Sequence, residues 1–333
     1  MLPSEIELSE VYKVSRGTVR KVLAALEEDG LVRRERGRGT FISRPQDQMN
    51  NSHMSSQSIA FIVPYVRDSF VSSILLGLES VIRKNGYTVL FHHVENDKEK
   101  QQIVLRQSSQ QGISGIVLYP VDSNAISPIL RELIQDEFPI VLVDRYIRGL
   151  YCDYVASDNY TGGLFATQHL LSLGHQRIAF LSWFDLATTM EHRRLGYRQA
   201  LLEQGIEPES TLEWEVVGYP GIDTAALEKY LLEPNRPTAL FVANDQLAIS
   251  VLTVARSLDI SIPEDLALVG FDNLDISAHL DIPLTTIAQP SFDIGYTAGE
   301  LLISQIKKET SWTQRRILPV QLIVRRSCGA IKH

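Results

Sequence analysis

Eight apolar runs dominate the chain beyond residue 57: "SIAFIVPY", "YTVLFHHV", "GIVLYP", "PIVLVD", "YVASD", "RIAFLSW", "TALFVAN" and "LALVGFD". Short continuous apolar runs without strict alternation read as buried strands of a parallel sheet. Between them lie amphipathic stretches such as 70–85 and 160–173, closed by Gly86 and Gly174, which read as helices. Alternating strands and helices leave one fold class, a doubly wound α/β body. A chain of 333 residues has room for two such sheets.

In open α/β sheets a ligand sits beyond the carboxyl ends of the strands. Here those ends are polar: Arg67-Asp68, Asp144-Arg145, Asp158-Asn159, Asn244-Asp245 and Asp272-Asn273. Carboxylates, amides and guanidinium forks facing one cleft suit a ligand made of hydroxyls, because each fork holds two adjacent oxygens. An aromatic such as Phe70 or Tyr219 can stack on the C–H face of a sugar. The same Asp and Asn residues also read as helix N-caps.

The first 43 residues follow a different plan. "PSEIELSEVY" reads as a short helix offering Ile6, Leu8 and Val11 for burial, with Lys13-Val14 as a turn. Ser15 is a good N-cap for a second helix, whose Val19, Val22, Leu23 and Leu26 form a buried stripe before Gly30 ends it. Its opposite face presents Arg16, Gly17, Arg20 and Lys21. "LVRRERGRGTFIS" reads as two strands around Gly37-Arg38-Gly39. Helix, turn, helix and hairpin make a winged helix-turn-helix. Its second helix reads base edges in the major groove of double-stranded DNA, where the arginine fork matches guanine.

Charge supports the division. The formal net charge is −8, yet residues 1–44 hold nine Lys/Arg against seven Asp/Glu, and the remainder is ten charges to the acidic side. A basic head can touch a polyanion that the acidic body repels. Residues 44–57, "RPQDQMNNSHMSSQ", hold almost nothing to bury and read as a linker. Two cysteines, Cys152 and Cys328, make no disulfide framework or metal spacing. With no signal peptide and no apolar run of spanning length, a cytoplasmic protein that keeps off membranes is expected.

Residues 2–43 resemble the GntR-type winged helix-turn-helix, through the Pro-Ser-Glu start, Ser-Arg-Gly-Thr-Val-Arg, Gly-Leu-Val and Gly-Arg-Gly-Thr-Phe in order. The resemblance implies DNA contacts from Ser15, Arg16, Thr18 and Arg20 of the recognition helix, and from Gly37 and Arg38 of the wing. The family often has Arg where Ile6 stands, and it has a further helix ahead of Pro-Ser-Glu. The head is therefore expected either to lack its first helix or to begin upstream of Met1.

Residues 58–328 resemble the LacI/GalR sensor domain, which shares the two-lobed type I periplasmic-binding-protein fold. "LLSLGHQRIAFL", "RRLGYRQALLEQGI", "FVANDQLAISVL", "IPEDLALVGFDN" and "PLTTIAQP" carry the likeness. It implies an effector set of Asp68, Phe70, Asp144, Arg145, Arg193, Tyr219, Asn244, Asp272 and Gln289. Asp68-Ser69-Phe70 stands where the family often has Asn-Pro-Phe. It also implies discontinuous lobes, about 58–157 with 289–316 and about 158–288 with 317–330, joined by three crossings. A GntR-type head on such a body resembles the arabinose repressors, notably around "YVRDSF" and "GLESVI".

No Gly-rich phosphate loop follows a strand, no Gly-x-Ser-x-Gly elbow appears, and the eight histidines show no metal spacing. His92-His93 lies in a strand. The expectation is a homodimeric transcriptional repressor, not an enzyme, with no cofactor or metal, released from operator DNA by a small sugar such as arabinose or another aldose. The alternatives are a regulator answering a non-sugar ligand such as a nucleoside, or a sugar binder whose truncated head cannot hold DNA.

Overall fold

The computed structural model describes residues 2–28, 31–35, 39–42, 56–66, 68–183, 187–216, 224–309 and 312–330. It divides into two compact units, Met1–Ser56 and Gln57–His333.

In the smaller unit, α1 (Glu5–Tyr12) opens on a capping box. The Ser4 hydroxyl accepts from the Glu7 N–H, and the Glu7 carboxylate accepts from the Ser4 N–H. Lys13, with φ of 51°, ends this helix. Ser15 then starts α2 (Arg16–Glu28), its hydroxyl accepting from the Thr18 N–H at 3.1 Å. Strands β1 (Val32–Glu35) and β2 (Gly39–Ile42) pair antiparallel as the wing.

The buried stripe of α2 is narrower than its sequence suggests. Val19 and Leu23 are buried and Leu26 is half-buried, but Val22 is 53% exposed. Val22 stands about 100° round the helix from Leu23, outside the side that its neighbours cover. Likewise, of the three apolar residues that α1 offers, Leu8 alone is partly covered, while Ile6 and Val11 face outward. An eight-residue helix with one neighbour shields only one side. Gly30, Gly37 and Arg38 lie outside the described residues.

The larger unit contains two six-stranded sheets. The first holds β3 (Ser56–Val63), β4 (Thr88–His93), β5 (Ile113–Leu118), β6 (Ile140–Val143), β7 (Asp153–Ser157) and β13 (Arg315–Leu318), in the order β13-β7-β6-β5-β3-β4. The second holds β8 (Ile178–Trp183), β9 (Glu213–Val216), β10 (Ala239–Val242), β11 (Ala267–Asp272), β12 (Thr285–Ala288) and β14 (Gln321–Ile323), in the order β14-β12-β11-β10-β8-β9. Only β14 runs antiparallel to its neighbour in that sheet. The helices are α3 (Ser69–Lys84), α4 (Lys98–Gln110), α5 (Pro128–Gln135), α6 (Asn159–Ser172), α7 (Thr188–Glu203), α8 (Thr224–Leu231), α9 (Asp245–Ser257) and α10 (Ser291–Ile306). None among the described residues is long and apolar enough to cross a membrane.

The chain passes between the sheets after Ser157, at Gln289-Pro290 and at Pro319-Val320. The last crossing was expected ahead of Ile317. It falls later because Ile317 and Leu318 still pair with Ala156 and Ser157. Strand β4 is not buried on both faces as its apolar run implies. It is an edge strand, with Leu90 and Phe91 each 39% exposed.

One helix pair in each lobe packs through glycine. A Cβ on Gly295 of α10 would stand 1.9 Å from the Ile74 carbonyl of α3, and one on Gly77 would stand 2.0 Å from that of Phe292. In the second lobe, a Cβ on Gly163 of α6 would stand 2.2 Å from the Arg193 carbonyl, and one on Gly196 would stand 2.1 Å from that of Tyr160. Backbone meets backbone there. This draws α7 against α6 and sets Arg193 at the carboxyl ends of β10 and β11.

Candidate functional site

Eight of the nine expected cleft residues line one cavity of about 40 Å³: Asp68, Phe70, Asp144, Arg145, Arg193, Asn244, Asp272 and Gln289. Tyr219 lies outside the described residues. The cap reading and the cleft reading both apply to two of them. Asp68 accepts from the Phe70 N–H at 3.1 Å to start α3, and Asn244 accepts from the Leu247 N–H at 2.8 Å to start α9. Asp158 caps α6 and stays out of the cavity lining.

From the first lobe, Arg145 is 5% exposed, donates to the Tyr119 hydroxyl at 3.1 Å and lies 3.4 Å from Asp144. From the second, Arg193 is 2% exposed and more heavily engaged. It donates to Asn159 Oδ1 at 2.8 Å and to the Ala243 carbonyl at 2.5 Å, and it stands 3.7 Å from Asp272. Its guanidinium also lies 3.6 Å from the centre of the Phe271 ring. Gln289, at the second crossing, donates to Asp272 at 2.7 Å. Asp272 and Asn273 have φ of 113° and 54°, a backbone that costs energy without glycine and that aims both side chains.

A buried support lies below. Asp245 accepts from the Thr286 hydroxyl at 2.6 Å, the Ser277 hydroxyl at 2.7 Å and the Leu274 N–H at 2.9 Å. It thereby ties the start of α9 to β12 and to the loop after Asp272. Gly270 leaves the space, since a Cβ there would stand 2.3 Å from Asp245 Oδ1. Burial pushes the Asp245 carboxyl up to about 6, against the pull of its hydrogen bonds. Burial also raises Asp68, with Asp144 adding to the effect, and raises Asp272 well above the carboxylate range despite Arg193.

The cavity has lining residues that sequence reasoning missed: Tyr65, Tyr119, Thr189, Met190 and Gln246. The two tyrosines end "SIAFIVPY" and "GIVLY", so the strand-end rule that found the aspartates also reaches them. Their hydroxyls lie 2.8 Å apart. Thr189 and Met190 open α7, and no strand-end signal marks them. Among the described residues, Thr189 Oγ1 and Gln289 Oε1 are buried without a hydrogen-bond partner.

The lobes also touch at the cleft rim. The Tyr146 hydroxyl lies 3.3 Å from His192 Nε2, Thr188 N–H donates to Ser123 at 3.4 Å, and Arg148 pairs with Glu191. On another side the Asp275 N–H donates to the Ser69 hydroxyl at 3.2 Å.

In the head, Ser15, Arg16, Thr18 and Arg20 are all exposed on the first turns of α2. The Ser15 and Thr18 hydroxyls lie 2.8 Å apart within the cap. Arg20 forks onto Glu5 of α1, with Nη2 to Oε2 at 3.0 Å.

Residues 167–328 match the periplasmic binding protein-like domain family, and residues 1–42 match the gntR family of bacterial regulatory proteins. An arabinose metabolism transcriptional repressor from Halalkalibacterium halodurans is 32% identical over 99% of this chain and 91% of its own length. The chain belongs to the family of GntR-headed, LacI-type transcriptional repressors. A second arabinose metabolism transcriptional repressor, from Geobacillus stearothermophilus, is 30% identical over 93% of this repressor and 86% of its own length. Among solved structures, a LacI family transcriptional regulator from Enterococcus faecium with bound ribose superposes with a TM-score of 0.71. It is 28% identical and covers 83% of this repressor and 100% of its own chain.

Proposed function

We propose that this repressor binds operator DNA as a homodimer through its winged heads, and that a small neutral sugar held between the lobes releases it. The observation that carries the ligand reading is the composition of the cavity. Three carboxylates face two guanidiniums that the protein already engages, beside two buried oxygens without partners. A phosphorylated ligand finds no uncommitted cation there, because both guanidiniums already face a carboxyl of the protein. A neutral polyol can donate to Thr189 Oγ1, Gln289 Oε1 and the carboxylates and accept from the guanidiniums. Phe70 offers a ring to a sugar's C–H face. The arabinose repressors and the ribose-bound regulator support a pentose as the first choice.

A cavity of about 40 Å³ admits no more than a few waters. A sugar therefore enters by separation of the lobes and parting of the rim contacts, and the lobes then close on it. One recognition helix and a wing offer limited contact, so two heads act together on half-sites of fixed spacing. Lobe closure changes the separation of the heads, and the effector shifts the balance by its differential affinity for the two forms.

A thermal-shift series with L-arabinose, D-ribose, D-xylose, a pentose phosphate and a nucleoside tests the ligand class. A pentose at about 100 times its Kd adds roughly 2.7 kcal/mol. Stabilisation by the phosphate or the nucleoside but by no neutral sugar overturns the reading.

A further inference from the structure

Strands β6 and β7 are parallel neighbours, yet nine residues, 144–152, join them with no helix between. A parallel crossover ordinarily takes a dozen residues or more and lays a helix on the sheet. On the face that α4 and α5 cover elsewhere, β7 and the edge strand β13 are left to this loop and to their own side chains. Three tyrosines take the helix's place, Tyr146 and Tyr151 from the loop and Tyr154 from β7. The rings of Tyr146 and Tyr154 lie 5.2 Å apart at 30°. They do not fill the space. A cavity of about 360 Å³ remains among the three rings, walled also by Arg148 and Arg315. Small-ligand pockets run from about 300 to 1,000 Å³, so it is large enough to hold one. None of its lining residues belongs to the sugar cleft.

The two arginines differ in what holds them. Arg148 pairs with Glu191 and donates to Asn124. The guanidinium of Arg315 has no hydrogen bond or ion pair among the described residues. Its Cζ stands 5.9 Å from the centres of the Tyr151 and Tyr154 rings alike, at the outer limit of cation–π contact. Arg193, by contrast, sits 3.6 Å from the centre of the Phe271 ring. No carboxylate lines the cavity. Asp153, next to Tyr154 in the chain, is taken by the Gln305 amide at 2.8 Å and the Gln314 N–H at 2.7 Å. It lines a neighbouring cavity, which shares Tyr151 with this one and where Glu137 and Lys308 are set together. The Arg315 fork therefore keeps its donors for a planar anion. Beside it are aromatic faces that take a flat ring in offset or edge geometry. One uncommitted cation matches one carboxylate, not a phosphate monoester carrying about two charges.

We propose that this cavity is a second small-molecule site, separate from the sugar cleft, and that it takes a small aromatic carboxylate. The carboxylate sits on the Arg315 fork and the ring lies against Tyr151 and Tyr154. The site stands whether or not the cleft binds a pentose, since the two share no residue.

The test is calorimetric titration of the full chain with benzoate, and with acetate and benzyl alcohol as the two halves of the ligand. Wild type, Arg315→Gln, Arg315→Lys and Tyr151→Ala are compared, with thermal midpoints as the folding control. Benzoate should bind wild type with a Kd on the order of 1 mM or tighter, and acetate and benzyl alcohol each at least about tenfold more weakly. Arg315→Gln should weaken benzoate by about tenfold or more, because a charged hydrogen-bond partner is lost. Tyr151→Ala should weaken it several-fold. If Arg315→Gln does not fold, Arg315→Lys carries the test: it keeps the charge but loses the two-pronged fork, and should still weaken benzoate several-fold. Equal benzoate affinity in wild type and a folded Arg315 variant places the anion elsewhere, the cleft included, and overturns the proposal. So does wild type that does not bind benzoate, which leaves the tyrosines and Arg315 as cover for the sheet edge. Acetate binding as tightly as benzoate overturns the aromatic class.

Discussion

Thr189→Val separates ligand recognition from folding, because the two effects should have opposite signs. The substitution exchanges a hydroxyl for a methyl of nearly the same size at a residue 3% exposed. Thr189 Oγ1 has no hydrogen-bond partner among the described residues. A buried hydroxyl left unbonded costs about 1–3 kcal/mol, so its removal should leave stability unchanged or raise it by up to that amount. With a sugar in the cleft the same removal leaves a ligand hydroxyl buried and unpaired. That costs about 1–3 kcal/mol, which weakens binding roughly 5- to 150-fold. Urea denaturation of the empty protein measures the first quantity, and calorimetry with the stabilising pentose measures the second. A stability loss above about 1 kcal/mol, or an unchanged affinity, refutes the reasoning. Arg193→Ala is a poorer probe of the same site. It removes the partners of Asn159, the Ala243 carbonyl and half-buried Asp272 together. Leaving buried polar groups unpaired costs about 1–3 kcal/mol each, so lost binding and lost folding would arrive together.

Three further outcomes are expected. Arg16→Ala in the exposed start of α2 should weaken operator binding roughly 5- to 150-fold if the side chain reads a base, without moving the thermal midpoint; equal loss on unrelated DNA would make it a phosphate contact instead. Gly295→Ala sets a Cβ 1.9 Å from the Ile74 carbonyl, and forcing α3 and α10 apart should cost about 1–3 kcal/mol or more in urea denaturation. Asp245 has its carboxyl raised from 3.8 to about 6, so between those values the folded chain holds the proton more tightly. Its contribution to stability falls as pH rises through that window, by about 3 kcal/mol, and is level outside it. The stability of wild type minus that of Asp245→Asn should follow this curve, and a flat difference would contradict the raised value.

Much of the fold was legible because its signals are local. The apolar runs of β3, β5, β6, β8, β10 and β11 mark strands shielded on both faces, and helix starts at Asp68, Asp158 and Asn244 follow from capping chemistry. Strands β9, β13 and β14 were not legible. They are short edge strands carrying Glu213, Arg315 and Gln321, and their pairing comes from the sheet rather than from an apolar run. Strand-end polarity led to Asp144, Arg145, Asn244 and Asp272 around one cavity. It could not lead to Thr189, which approaches from a helix start, nor to the closed rim, where Tyr146 meets His192 across the lobes. The buried role of Asp245 was hidden for a related reason. Beside Asn244 it reads as one of a polar pair, yet it turns inward to hold Thr286, Ser277 and Leu274.

The central claim is that occupancy of the cleft controls the grip of the head on DNA. An operator titration, with and without saturating pentose at fixed salt, measures this coupling directly. A coupling of about 1–3 kcal/mol predicts operator affinity roughly 5- to 150-fold weaker with the sugar bound. Equal affinities under both conditions would mean that the cleft does not govern the head. Tighter binding with sugar would contradict release and make the ligand a corepressor.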